Sequence, residues 1–473
     1  MVKENIYEKE YTNIMGKIET INKVLLDNGM QSYLVGGCVR DMYLDKKPHD
    51  FDFATNSLPE NTVKILKNSK SIDNVYMKGI QFGTVIADIG GEEFEITTFR
   101  KDGKYDGHKP TSVTFSDTIE ADLSRRDFTI NAMAIDGRNG ELVDIFNGKK
   151  DIEARIIRTV GNPIERFTED PLRILRAIRF AITLNFDIAE ETKKAIHECK
   201  DGLKYISKER ITEELKKIFN SNHNIKDVFM EFRDVIAVCI PQLQPCFDFE
   251  QNNKYHDHDV YEHILCVVDG INSKYGQVPI DRFALIKFAA LFHDIGKPQS
   301  YSIDNEGFGH FYGHPKESKR IFEEICRNNL SFTNKEKEYI SNLVEYHDVE
   351  LTFTEKGIRR MLNSFPDRTF INDLCILKES DRLDHINFKD TIDFPLYMRM
   401  IDTQIEKAMC FSLKDLNING NDMMALGLTG KNIGNMLHLV LDEVIDGNLE
   451  NKREMILEYV RQHIYNKDTE YER

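Results

Sequence analysis

The spacing of apolar residues changes near residue 160, and this switch limits the fold more than any other feature of the chain. Upstream, short apolar runs such as Ser32 to Val35, Gly83 to Ile89 and Phe94 to Thr98 are separated by Gly and Asp turns, the pattern of strands in an α/β segment. Downstream, the segments 170–184, 189–200, 208–220 and 225–238 repeat apolar residues every three or four positions, which predicts amphipathic helices. The expected class is α+β, with an α/β head and helices beyond it. Pro241 and Pro245 interrupt the helical period before a polar stretch near 250, and a second break falls between Leu413 and Gly420. Boundaries near 150, 250 and 400 divide the chain into a head (1–150), a neck (151–250), a third segment (251–400) and a tail (401–473).

At about 150 residues per domain, 473 residues suit roughly three domains. Of these, 41% are hydrophobic and 30% charged, a globular composition that excludes disordered and collagen-like classes. No apolar run approaches the roughly 18 residues of a membrane span, and the first residues are too charged for a signal peptide, so a cytoplasmic protein with no membrane partner is expected. Eight cysteines stand singly, without a CxxC pair, and read as reduced structural thiols. A net charge of -16 argues against broad non-specific coating of nucleic acid. Residues 155–220 nevertheless carry 14 basic against 11 acidic side chains, which leaves room for a local basic groove.

Two motifs carry chemistry in the head. Leu34-Val35-Gly36-Gly37-Cys38-Val39-Arg40-Asp41 ends a strand at two glycines and opens a helix, a place where backbone can approach an anion closely. In His49-Asp50-Phe51-Asp52-Phe53-Ala54-Thr55 the two aspartates alternate along an expected strand and so share a face. An isolated DxD is usually a solvated turn. Beside a phosphate-binding turn, two carboxylates suit Mg2+, which takes hard oxygen ligands and completes its shell with substrate phosphates. Glu95, flanked by Phe94 and Ile96, is the preferred third carboxylate, and Asp88, flanked by Ala87 and Ile89, competes with it. In the neck, Asp170, Arg173, Arg176 and Arg179 recur every third residue, along one side of a helix. Such a stripe is either a set of intrahelical ion pairs or a surface for a polar anionic ligand.

The run LVGGCVRD…HDFDFAT resembles the signature of the polymerase β-like nucleotidyltransferase superfamily, in the branch of tRNA nucleotidyltransferases and bacterial poly(A) polymerases. Three further matches follow in the family's order: Ser124-Arg125-Arg126-Asp127-Phe128-Thr129-Ile130-Asn131-Ala132-Met133-Ala134, Glu169 to Phe180, and Glu209-Arg210-Ile211-Thr212-Glu213-Glu214-Leu215. Together they span residues 34–215. The resemblance implies a mixed-sheet head and catalysis by Asp50, Asp52 and Glu95 with Mg2+ on Asp50 and Asp52. It implies a nucleotide pocket containing Gly37, Arg40, Arg126 and Asp127, in which the sequence leaves open whether Arg125 or Arg126 faces the ligand. Asp170 and Arg173 would read the base of CTP or ATP as a protein template, and Arg176 and Arg179 would reach phosphates or ribose. The charged, glycine-rich run Arg100 to Pro110 corresponds to the family's flexible loop and looks full length. The implied partner is tRNA, and the implied reaction is CCA addition at its 3′ end. Partial enzymes that add only CC or only A share these motifs, and poly(A) polymerases share most of them.

A second constellation lies in the third segment. His263, His293-Asp294 before a Gly-Lys-Pro stop, His314, His347 and Asp381 follow the order H…HD…H…H…D. Imidazoles and carboxylates in this number are ligands for a divalent metal. The order resembles the HD phosphohydrolase superfamily, which implies a second metal site and a hydrolase activity on phosphoesters. A chain that is mainly such a hydrolase, with an RNA-binding head, is the reading from another class. The stretch Asn417 to Ile445 reads as an amphipathic helix pair and resembles the tRNA-gripping tail of bacterial tRNA nucleotidyltransferases. Oligomeric state is left open.

Overall fold

Seven of the strands in the first 143 residues join in one mixed sheet. The computed structural model describes residues 2–471 apart from 49, 78–79, 103–104, 107–108, 111–112, 253–257, 366, 384–391 and 408–409. The chain divides into two units, Met1–Gln244 with Ile325–Phe332, and Pro245–Glu324 with Thr333–Arg473.

In the first unit the order is α1 (Val2–Asp27), β1 (Tyr33–Val35), α2 (Gly37–Tyr43), β2 (Asp52–Thr55), α3 (Pro59–Asn68), β3 (Asn74–Tyr76), β4 (Thr84–Ile89) and β5 (Glu92–Thr98). Four short strands follow, β6 (Arg100–Asp102), β7 (Tyr105–Asp106), β8 (Lys109–Pro110) and β9 (Val113–Phe115). Then come α4 (Ile119–Ser124), β10 (Ala134–Asp136), β11 (Leu142–Val143), α5 (Gly148–Ala154) and β12 (Ile156–Ile157). The main sheet runs β11-β10-β1-β2-β5-β4-β3, with β2 and β5 parallel and the other pairs antiparallel. Alternation sorts its residues. Leu34, Phe53, Phe94 and Ile96 are buried on one face, where the Phe53 and Phe94 rings meet edge-on at 6.2 Å. Tyr33, Val35, Ala54 and Ala134 pack on the other face with Ile119 and Leu123 of α4.

One expectation is corrected here. Asp50 is not in a strand: β2 begins at Asp52, and Asp50 is exposed in the loop before it. The cause is the partner strand. Val35 pairs with Asp52 and the chain then turns away at Gly36, which leaves Asp50 no ladder to join. The glycine-rich run after Arg100 is built on a β6–β9 ladder, and much of its tip lies outside the described residues.

The neck helices are α6 (Pro163–Glu169), α7 (Leu172–Leu184), α8 (Glu190–Cys199), α9 (Lys208–Phe219), α10 (Lys226–Glu231) and α11 (Arg233–Cys239), with a two-residue strand β13 (Asp187–Ile188) beside β12. The period expected over 225–238 is thus two helices broken at Phe232. In the second unit come α12 (Val260–Gly270), α13 (Ile280–Phe292), the ladder of β14 (Ser302–Ile303) and β15 (Gly309–His310), α14 (His314–Asn328, whose last turn is counted with the first unit), α15 (Asn334–Tyr346), α16 (Glu355–Ser364), α17 (Arg368–Leu383), α18 (Phe394–Glu406), α19 (Gly420–Ala425), α20 (Lys431–Asp446) and α21 (Arg453–Tyr471). Helix α13 is buried around most of its circumference and packs on α12, α15 and α17. Such a helix must be central. Among the described residues, no helix is long and apolar enough to cross a membrane.

Two glycines test this packing. A Cβ on Gly148 at the start of α5 would stand 2.2 Å from the Thr129 carbonyl oxygen, whereas one on Gly16, exposed in α1, meets nothing within 4 Å. Gly148→Ala is expected to destabilise by about 1–3 kcal/mol through overpacking. Gly16→Ala should stabilise by about 0.5–1 kcal/mol through helix propensity. Urea unfolding of both variants checks the pair.

Candidate functional site

The sheet register brings the expected head residues together. Asp52 pairs with Val35 on one side and with Glu95 on the other, and Glu95 also pairs with Ile86. Paired residues on neighbouring strands share a face, so both carboxylates point the same way. Asp88 instead lies at the β4–β5 turn, where its carboxylate accepts hydrogen bonds from Asn74 and the Gly91 amide. Glu95 is therefore the acid beside Asp52. Burial first, then Glu95 and Asp50, push the Asp52 carboxyl up to about 6, against the opposing effect of Arg126. A buried carboxyl raised by neighbouring acids suits a cation of hard-ligand preference. Asp50, Asp52 and Glu95 do not, however, bring three ligand atoms within 4.8 Å of one another.

Asp52 and Glu95, but not Asp50, line a cavity of about 460 Å3, together with Gly36, Gly37, Arg40, Asp127, Asn131 and Phe180, and with Arg125, Arg126, Arg173, Arg176 and Arg210 with Asp170. Of the two glycines, Gly36 is the one the geometry requires. Its φ is +81°, and a Cβ there would stand 2.7 Å from Nη1 of Arg126 and 3.8 Å from a carboxylate oxygen of Asp52. Gly37 begins α2, and Arg40 on that helix donates to Oδ1 of Asn131 at 2.7 Å.

Both Arg125 and Arg126 line the cavity, and one buried carboxylate holds both. Oδ1 of Asp122 accepts from Nε and Nη2 of Arg125 at 2.9 and 2.7 Å, and Oδ2 accepts from Nη2 of Arg126 at 3.1 Å. Arg126 is the one that reaches over Gly36. Asp127 is occupied within the protein. Its Oδ1 accepts from the Phe128 amide and Asn131, and its Oδ2 from Nε and Nη2 of Arg176 at 2.8 and 2.6 Å. Burial alone would raise its carboxyl, yet Arg176 and the Asn131 hydrogen bond bring it down to about 2.

On α7 the stripe divides. Arg173 donates to Glu169 at 2.7 Å and to backbone carbonyls of Arg166 and Arg125. Asp170 is bound by Arg210 of α9, at 2.9 Å on Oδ2 and 3.3 Å on Oδ1. Arg179 donates to Glu214 at 2.7 Å and does not line the cavity, because its place on the stripe faces α9. The Phe180 ring sits beneath Arg40, Arg176 and Arg179, whose guanidinium carbons lie 5.1, 5.5 and 4.1 Å from its centroid. That ring, Asp122, Asn131 and Arg210 were not singled out from the sequence. All lie inside or beside the quoted motifs, but only their spatial neighbours distinguish them.

In the second unit, all six expected ligands converge. Nε2 of His263 lies 3.2 Å from both Asp294 and Asp381, and Nε2 of His293 lies 3.2 Å from Asp294 and 3.7 Å from Asp381. The other oxygen of Asp294 lies 3.1 Å from Nε2 of His314 and 3.5 Å from that of His347. Asp294 thus sits between two groups of ligands, His263 with His293 and His314 with His347. Carbonyls of Ala290, Phe311 and Val344 lie 2.7–2.8 Å from Nδ1 of His293, His314 and His347. A carbonyl only accepts, so each Nδ1 donates to it and each Nε2 is the nitrogen turned inward. The Nε2 atoms of His314 and His347 stand 3.2 Å apart, and Nε2 of His293 and Oδ1 of Asp294 are buried without a hydrogen-bond partner. Imidazole nitrogens and carboxylate oxygens converging in a buried site fit a metal cation.

Comparison with known proteins agrees with the head reading. Residues 32–158 match the family model of the poly A polymerase head domain, 185–226 that of a probable RNA and SrmB-binding site of polymerase A, and 322–460 that of a putative tRNA nucleotidyltransferase domain 2. The CCA-adding enzyme of Oceanobacillus iheyensis is 45% identical over 213 residues, 45% of this chain and 52% of the relative. At this level of identity the chain spans about half the length of the curated relatives it matches. That of Bacillus cereus is 28% identical over 95% of this chain and 98% of its own length. Among solved structures, the Bacillus stearothermophilus CCA-adding enzyme in complex with CTP superposes with a TM-score of 0.69 at 24% identity, covering 96% of this chain and 98% of that one. The Thermotoga maritima CCA-adding enzyme complexed with tRNA gives 0.55 at 22% identity, covering 96% of both chains. These likenesses establish the fold, a polymerase head with a mixed sheet and a mostly helical remainder.

The Asp127–Arg176 pair generates a pH prediction. A carboxyl lowered from its ordinary value to about 2 contributes stability that is present above the unfolded pKa near 4 and lost as pH falls through about 2. Asp127→Asn should cost about 2 kcal/mol at pH 7. Urea midpoints of wild type and variant should converge between pH 4 and 2. In sequence at 45% identity over about half its length, and in fold over nearly its whole length, the chain is similar to CCA-adding enzymes.

Proposed function

We propose that this chain is a tRNA nucleotidyltransferase that adds CCA to tRNA 3′ ends from CTP and ATP without a nucleic-acid template, releasing pyrophosphate, in tRNA maturation and repair. The observation that carries the reading is the pairing of Asp52 with Glu95 at the mouth of an arginine-lined cavity beside the Gly36–Gly37 turn. Arg126 and Arg40 supply positive charge where a triphosphate would enter, and Gly36 lets it approach the backbone. Asp170 and Arg173 offer an acceptor and a donor side by side, the pattern needed to read a base edge. Asp127 and Arg176 hold the head against the base-reading helix. Asp50 and Asp52, with Glu95 alongside, would hold Mg2+, which would supply activation of the RNA 3′-hydroxyl and neutralise charge on the phosphates. No side-chain nucleophile is required.

Labelled CTP, ATP or both, offered to tRNAs ending at the discriminator base, in C and in CC, tests the proposal. Completion to CCA is expected, with incorporation abolished in Asp52→Ala. Addition of C alone or A alone would identify a partial enzyme, and long A tails a poly(A) polymerase.

A second activity is favoured by a separate observation, the inward-facing Nε2 atoms around Asp294. We infer a divalent-metal centre of HD type, held by His263, His293, Asp294, His314, His347 and Asp381, that hydrolyses phosphoesters. Metal analysis of purified protein is expected to find tightly bound divalent metal that is lost in the His293→Ala, Asp294→Ala double variant, while CTP and ATP incorporation persists. Unchanged metal content in the double variant would sink this reading.

A further inference from the structure

Arg210 stands in the first turn of α9 and lines the nucleotide cavity, where it grips the acceptor of the base-reading pair. Asp170 lies at the junction of α6 and α7, and Oδ1 already accepts from the Leu172 amide at 3.2 Å. Nη1 and Nη2 of Arg210 approach Oδ1 and Oδ2 at 3.3 and 2.9 Å, one to each oxygen. A carboxylate held by one bond turns freely about its last torsion, which is broad and two-fold. A planar guanidinium fork removes that freedom, because both oxygens must stay in its plane. Oδ1, with two donors, has both lone pairs engaged, whereas Oδ2 keeps one, and the plane sets where it points. Arg173 is held by other means, through Glu169 and two backbone carbonyls, so Arg210 acts on Asp170 alone within the pair.

We propose that Arg210 is a positioning residue for base selection, which aims the free lone pair on Oδ2 of Asp170 at an exocyclic amino group. Cytosine and adenine carry an amine at the edge where uracil and guanine carry a carbonyl oxygen. A carboxylate held in one plane accepts from the first two and repels the other two. A carboxylate free to turn loses that distinction without losing its charge. The inference rests on the nucleotidyl-transfer reading above and gives it a further determinant of specificity.

The test measures kcat/KM for CTP and UTP on a tRNA lacking its CCA end, using the full chain and two variants, Arg210→Gln and Arg210→Lys. Lysine keeps the charge without the fork, and it provides the comparison should the glutamine variant fold poorly. The CTP to UTP ratio is expected to fall roughly tenfold or more in both, the discrimination carried by one well-formed bidentate contact. A merely structural role would slow both nucleotides together. An unchanged ratio in both variants, however low the rates, overturns the inference and leaves the nucleotidyl-transfer reading standing. A wild-type chain that incorporates neither nucleotide overturns that reading, and the inference with it.

Discussion

The parallel pairing of β2 with β5 is the constraint on which the head site depends. A parallel pair cannot be joined by a tight turn, so residues between them must cross over, here through α3, β3 and β4. The crossover sets Asp52 directly beside Glu95, and the antiparallel β1 on the other edge delivers the Gly36–Gly37 turn to the same end. Phe53, Phe94 and Ile96 hold this register, since a slip of one residue would exchange them with the two acids between the faces of the sheet. The same apolar residues that build the sheet therefore aim the carboxylates.

A second constraint joins that sheet to the neck. Asp127 follows the two arginines of the second motif, and its buried carboxylate is tied to Arg176 on α7, while Phe180 lies under three guanidinium groups. Six arginines and four carboxylates line the cavity, a positive balance within a chain of net charge -16. Overall acidity discourages indiscriminate binding of nucleic acid, and the local excess draws an anion to one place. Most of these arginines are already engaged by protein carboxylates, which positions their donors before any ligand arrives.

The second unit solves a different problem with the same economy. Its histidines come from the body or ends of separate helices, and backbone carbonyls of the preceding turns choose the tautomer in three of them. Asp294, reached from both sides, is the shared member. Lys297, one turn on, lies 2.6 Å from it and is also fixed by Gln251. Burial opposes the charge of Asp294, and the cations around it prevail and hold its carboxyl well below the ordinary range.

Much of this was legible in the sequence, because periodicity and local motifs are short-range properties. The helices α7, α8 and α9 fall within two residues of the expected segments, and the six histidine and aspartate positions of the second unit converge. What sequence could not settle were choices among residues of equal local character. Asp88 and Glu95 have the same flanks, but only Glu95 lies opposite Asp52 in the ladder. Arg173, Arg176 and Arg179 share one stripe, yet their partners are Glu169, Asp127 and Glu214, two of them far away in the chain. The residue types and their spacing were written locally by the sequence. Which acid meets which base, and which oxygen is left to face the cavity, was decided by tertiary structure, because hydrogen bonds and ion pairs act over a few ångströms between segments whose separation in sequence says nothing about distance.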